Sequence, residues 1–279
     1  MSTHRQGFTL IELLLVMVLG LVVLGATYET LIRQEEAYTV YNAMSATQSD
    51  TRTGTDLLTG DLREMSAADL TLATPDSLRF RALRKFGLLC DKDKISKKLV
   101  LAQMGMEDFA AGDSLIIYVD GDSLKAADDV WEVDYVNNTS LGVACGTTLG
   151  INLAGLLPDA NLIQVSTGMA LRFDSVFPGA PVRSFEVVTY RTGTFDGQPY
   201  LVRIQDGAVA PLVGPLASGN PFELRYYDNQ GMELTSFPLN AADRAAVARI
   251  EVRLAAERQT TQGDSYTDVL VTDVYLRGS

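Results

Sequence analysis

Gly7-Phe8-Thr9-Leu10-Ile11-Glu12 opens a stretch that continues as Leu13-Leu14-Leu15-Val16-Met17-Val18-Leu19-Gly20-Leu21-Val22-Val23-Leu24-Gly25-Ala26-Thr27-Tyr28. From Phe8 to Tyr28 the chain is apolar except for Glu12 and two threonines. Wound as an α-helix, this segment is about 30 Å long, enough to cross a bilayer. Arg5 lies ahead of it, and Glu29, Glu35 and Glu36 follow with only Arg33 among them. Positive charge favours the cytoplasmic side, so the expected topology is a single pass with the N-terminus in the cytoplasm and everything after Tyr28 outside it.

Glu12 is the residue that a simple membrane span leaves unexplained. A carboxylate in a membrane helix costs on the order of 2–3 kcal/mol at the bilayer centre and less near the headgroups, so it calls for a partner. A secretory signal peptide would be cut after its apolar run, and Gly25-Ala26 offers only a weak site for that. A plain signal anchor fits the length equally well. Neither needs Glu12.

Gly7-Phe8-Thr9-Leu10-Ile11-Glu12 ahead of an uninterrupted apolar helix resembles the leader of type IV prepilins and of type II secretion pseudopilins. In that family a membrane peptidase cuts after the glycine and methylates the new N-terminal amine. The resemblance implies cleavage between Gly7 and Phe8, N-methylation of Phe8, and a role for Glu12 in meeting the N-terminal amine of a neighbouring subunit. Two charges that are each expensive in lipid offset one another when paired, which makes such a carboxylate a device for assembly. The implied partners are other pilin or pseudopilin subunits, the prepilin peptidase and the inner membrane.

The sole histidine, His4, falls inside the implied leader of residues 1–7. The processed chain would contain no imidazole, which removes Ser-His-Asp and Cys-His catalysis and every histidine-ligated zinc site. No S-x-x-K, G-x-S-x-G, C-x-x-C or G-K-[ST] motif occurs either. No catalytic residue, metal or cofactor is therefore expected. A formal charge of −12 argues against a nucleic-acid partner, since phosphate binding needs clustered Lys and Arg.

After Tyr28 the chain stays compatible with a helix to about Ala68, with no proline. Tyr41, Met44, Gln48, Thr51, Thr55, Leu58, Leu62 and Met65 recur at three- and four-residue steps, as one helix face would. The expectation is one long helix with a membrane half, residues 8–28, and an amphipathic half, residues 29–68. Gly54 and Gly60 each weaken it by about 1 kcal/mol relative to alanine, so a break between them is conceivable.

Thr74-Pro75-Asp76-Ser77 reads as a turn. Beyond it the pattern is short, alternating or β-branched: Leu78–Leu83, Ser114–Val119, Val130–Val136, Ser184–Tyr190, Tyr200–Ile204, Phe222–Tyr227, Arg249–Leu254 and Tyr266–Leu276. One further short helix is expected over Asn240–Ala248. The fold class is α+β, a long N-terminal helix followed by a large, mainly antiparallel β domain over residues 76–279. Gly112-Asp113, Phe185–Tyr190, Leu224–Asp228 with Gly231, and Val274–Arg277 are similar to PilW-type minor pilins and J-type minor pseudopilins. That likeness implies a pilin-like fold and a low-abundance subunit at the start or tip of a filament. Glu12 separates the chain from K-type pseudopilins, which lack that carboxylate.

Cys90 and Cys145 can form one disulfide if the domain lies outside the cytoplasm; two separate buried thiols are the alternative. Arg81, Arg84, Lys85, Lys92, Lys94, Lys97 and Lys98 make a basic stretch, read as a solvated loop in preference to a docking patch. Asp120, Asp122, Asp128 and Asp129 surround Gly121; their spacing does not match an EF-hand, and acidic turns explain them without calcium. The competing class for the whole chain is a membrane-anchored extracytoplasmic enzyme or binding protein.

Overall fold

The structure, a computed structural model, describes residues 9–104, 107–120, 129–141, 145, 162–168, 172–260 and 263–277. Helix α1 spans Leu10–Glu64 without interruption, 55 residues and about 80 Å. The first turn is closed by a capping box in which Thr9 and Glu12 satisfy each other's backbone N–H. The helix ends at Met65, which turns extended and donates its N–H to the Leu62 carbonyl.

A 3-10 turn, Ala67–Asp69, leads into β1 (Leu70–Ala73) and the long β2 (Ser77–Asp93). Next come β3 (Lys98–Gln103), β4 (Ser114–Val119), β5 (Val130–Leu141), β6 (Leu162–Thr167) and β7 (Pro181–Phe195). The chain closes with β8 (Gln198–Gln205), β9 (Ala208–Val213), β10 (Phe222–Tyr227), β11 (Glu233–Leu234), helix α2 (Ala241–Ala246), β12 (Arg249–Gln259) and β13 (Ser265–Tyr275). All strand pairings are antiparallel.

Two strands organise the domain. Along one edge β7 pairs with β2 from Pro181 to Arg191; along the other it pairs first with β4, at Val182–Phe185, and then with β8, at Val188–Phe195. Strand β2 likewise meets β1 near Leu78–Phe80 and β3 from Gly87 to Asp93. One half of the β2/β7 ribbon thus belongs to the open sheet β1-β2-β7-β8-β9. The other half closes a six-stranded barrel, β2-β3-β6-β5-β4-β7 and back to β2. The two-residue turns Asp196-Gly197 and Asp206-Gly207 carry φ of 50° and 77°, and 50° and 80°. Those values match the hairpin turns that suit strand twist and fix the β7-β8-β9 register.

There are correspondingly two cores. Leu58, Leu62 and Met65 of α1 pack with Phe80, Tyr190, Leu201 and Val213 of the open sheet. They also pack with Leu224, Ile250, Val252 and Leu254 of a second sheet, ordered β11-β10-β12-β13. The barrel has its own filling, including Leu89, Leu99, Leu101, Leu115, Ile117, Val165 and Val182.

Several expectations need correction. Tyr41 and Met44 are exposed, 67% and 39%, and Ala43 and Thr47 are the buried positions instead. Small side chains there let the helix lie close to the sheet. No break occurs between Gly54 and Gly60. A Cβ on Gly54 would come within 2.5 Å of Val213 Cγ2 and 3.0 Å of Leu254 Cδ2, whereas one on Gly60 would meet nothing within 4 Å. Gly54 is therefore a contact glycine, not a hinge. The helix ends at Glu64, short of Ala68. The basic stretch is a loop only at Lys94 and Lys97, in the turn between β2 and β3; Arg81, Arg84, Lys85 and Lys92 lie in β2 and Lys98 in β3. Strand β2 extends past Leu83 because a bulge between Leu83 and Phe86 resets its register against β7.

Candidate functional site

The apolar sequence of α1 stays bare. Every described residue from Thr9 to Tyr38 is exposed, and the most apolar 18-residue window, with mean hydropathy 2.6, has none of its residues buried. Leu13, Leu14, Leu15, Val16, Met17, Val18 and Leu19 are each more than half exposed. A continuous apolar surface of this kind is stable only in lipid or against other helices.

At its start, the Thr9 N–H and hydroxyl both donate to Glu12 Oε2 at 3.0 Å, and the Glu12 N–H donates to Thr9 Oγ1 at 3.3 Å. One carboxylate oxygen thus takes both donors. Oε1 accepts no hydrogen bond among the described residues. Thr9 was not assigned this role from the sequence, although the spacing Thr9-x-x-Glu12 is itself the signature of a capping box. Gly7 and Phe8, the expected cleavage point, lie outside the described residues, as do Gly121, Asp122 and Asp128 of the acidic turn.

The second half of α1 is fastened to the domain by polar contacts along its length. Arg258 of β12 donates to Asp50 Oδ2 at 2.7 Å, and Thr51 donates to Asp268 Oδ2 of β13 at 2.6 Å. Further along, the Tyr190 hydroxyl donates to Asp61 Oδ2 at 2.8 Å, with Arg203 Nε 3.4 Å from the same oxygen and Arg84 Nη1 3.5 Å from Oδ1. One helix carboxylate is thereby tied to β7, β8 and β2. Burial, then the Asp61 charge, pushes the Tyr190 hydroxyl well above the usual tyrosine range.

Cys90 and Cys145 are joined in a disulfide, with Cα atoms 5.5 Å apart, that links β2 to the segment after β5 across 55 residues. The basic residues are largely engaged. Arg84 pairs with Glu186 at 2.9 Å, Lys85 with Asp113 at 2.7 Å, and Lys94 with Asp174. Lys92 donates to the Phe173 and Val176 carbonyls, and burial lowers its pKa. No group of three or more metal-ligating side chains occurs among the described residues.

Against known families, the bare half of the helix is the informative part. Residues 2–28 match the prokaryotic N-terminal methylation motif. No curated protein and no solved structure matches the chain. The N-terminus is thus type IV prepilin-like, and the motif implies processing by prepilin peptidase and assembly with other pilin subunits. A single exposed apolar helix together with this motif fits an inner-membrane protein with one pass. In this prepilin-like chain the part of the matched motif that lies in α1, residues 10–28, is unburied throughout, and the domain packs only on the C-terminal half of the helix.

Proposed function

We propose that the protein is a minor pilin or pseudopilin that acts in the initiation or at the tip of a type IV pilus or type II secretion pseudopilus. Prepilin peptidase cuts between Gly7 and Phe8 and the Phe8 amine is methylated. The processed helix then leaves the bilayer by packing among the helices of neighbouring subunits, with the β domain on the periplasmic side. Glu12 exchanges its local Thr9 cap for the amine of a neighbour, which gives Oε1 a partner and compensates two charges at once. The work done is assembly, and no catalysis is assigned to the chain, which keeps no histidine once residues 1–7 are gone.

The observation that carries this reading is the division of α1. One unbroken helix has a bare apolar half holding a single carboxylate, whose Oε1 accepts no hydrogen bond among the described residues, and a second half locked to the domain. Mass spectrometry of the N-terminus, from wild-type and peptidase-deficient cells, tests it. A chain starting at N-methylated Phe8, with residues 1–7 retained when the peptidase is absent, supports the assignment. A chain starting after Ala26, or near Met1 in both strains, returns the protein to the secreted or simply anchored class.

A further inference from the structure

The end of α1, the face of the β2/β7 ribbon and the rim of the barrel meet at a cleft of about 480 Å³, within the range of pockets that hold small molecules. Arg81, Arg183 and Arg277 line it, and none of them makes an ion pair among the described residues. Glu64 and Asp129 line it too, equally without an ion pair among the described residues. Trp131, the only tryptophan in the chain, forms part of the wall and is 44% exposed. The Arg183 guanidinium lies 5.8 Å from the Trp131 ring centroid and 5.6 Å from that of Phe86, so aromatic contacts hold it in place while its donors find no acceptor among the described residues.

The chemistry of this wall is specific about its ligand. Among the described residues that line it there are three guanidiniums and three carboxylates, one of them the buried Asp69 that already accepts from Ser66, so this lining carries no net formal charge and selects for neither an anion nor a cation. It offers separate sets of strong donors and strong acceptors beside an apolar surface made by Trp131, Leu83 and Ile116. A ligand whose polar groups each donate and accept, set on a ring with an apolar C–H face, satisfies all three. Hydroxyl groups in pairs on a pyranose do so: carboxylates accept from them, guanidiniums donate to them, and the indole packs on the ring. We propose that this cleft is a binding site for a neutral saccharide. The site lies on the domain, away from the bare half of α1, and does not depend on filament assembly.

Trp131 supplies the readout, because all indole emission of the protein arises in the cleft. The full chain, held in a zwitterionic detergent without a sugar headgroup, is titrated with cellotriose, maltotriose and chitotriose, and with tetraglutamate and tetralysine as charged comparators. The expected result is a saturable change in emission with at least one trisaccharide. Its Kd should rise about tenfold in Glu64→Gln and in Arg277→Gln, the loss expected when one hydrogen bond to a charged group is removed. Both residues are exposed, so the substitutions leave the cores untouched, and Arg225→Gln on the second sheet should bind as wild type does. Absence of saturable binding by every trisaccharide would overturn the proposal, as would equal or tighter binding of either charged peptide. So would wild-type affinity in both cleft variants.

Discussion

At the scale of single residues, Glu12 and Asp61 are two carboxylates on one helix with opposite circumstances. Asp61 already has its partners, in Tyr190, Arg203 and Arg84. Tyr190→Phe removes one hydrogen bond to a charged group from a well-packed site, and a loss of about 1–2 kcal/mol in urea unfolding is expected. The same hydroxyl sets a pH limit. Its folded pKa is raised, so the associated stability is complete below the unfolded tyrosine value of about 10 and is lost as pH rises beyond it. Wild type should therefore weaken above about pH 10 more steeply than Tyr190→Phe. Tyr226, also raised by burial, keeps some of that slope in the variant. Among the described residues, Glu12 has only Thr9. For Glu12→Ala we expect normal insertion and cleavage but at least about a tenfold fall in the share of the protein found in sheared filaments, the equivalent of one uncompensated membrane charge. Undiminished incorporation would remove Glu12 from the assembly mechanism.

At the scale of elements, the two helix glycines give opposing predictions. Gly54→Ala places a Cβ against Val213 and Leu254, and the repacking should cost about 1–2 kcal/mol despite the gain in helix propensity. Gly60→Ala meets open space and should stabilise by about 0.5–1 kcal/mol. Thermal or urea unfolding of both checks the pair, and equal effects would mean the helix does not seat on the sheet at Gly54. This position also shows where reading from sequence stops. Helix propensity sees two equivalent glycines, and only the tertiary neighbour tells them apart. The bare apolar start of α1, the α+β class, and strands such as Ser114–Val119 and Phe222–Tyr227 were legible, because run length and alternation encode them locally. Strand β3 was not. Its Leu99, Val100, Leu101 and Ala102 are all buried, odd residues in the barrel and even ones against Cys90 and Leu162, so no alternation marks it. Barrel closure was equally hidden, since it depends on β7 exchanging β4 for β8 along one edge. At the N-terminus, by contrast, Glu12 was conspicuous from its apolar context, while its Thr9 cap needed a second pattern to be noticed.

At the scale of the molecule, the Cys90–Cys145 bridge holds Cys145 against the outer wall of the barrel, beside Val100, Ala102 and Leu162. A loop of this length contributes roughly 4 kcal/mol in the chain-entropy model. Reduction, or Cys145→Ser, should lower the unfolding midpoint by a corresponding amount while leaving the α1 clamps in place. Proteolysis should then become faster first within the barrel. An unchanged midpoint on reduction would show that the barrel core alone sets its stability.

The clamps on α1 also determine how the molecule bears a pull. Asp50, Thr51 and Asp61 are spread over about three turns of the helix and engage four different strands besides β13. A tension applied along the helix axis loads these contacts together as shear, so none can be opened by itself in the manner of a zip. The domain is consequently attached like a lap joint, strongest in the one direction in which a growing fibre would draw it.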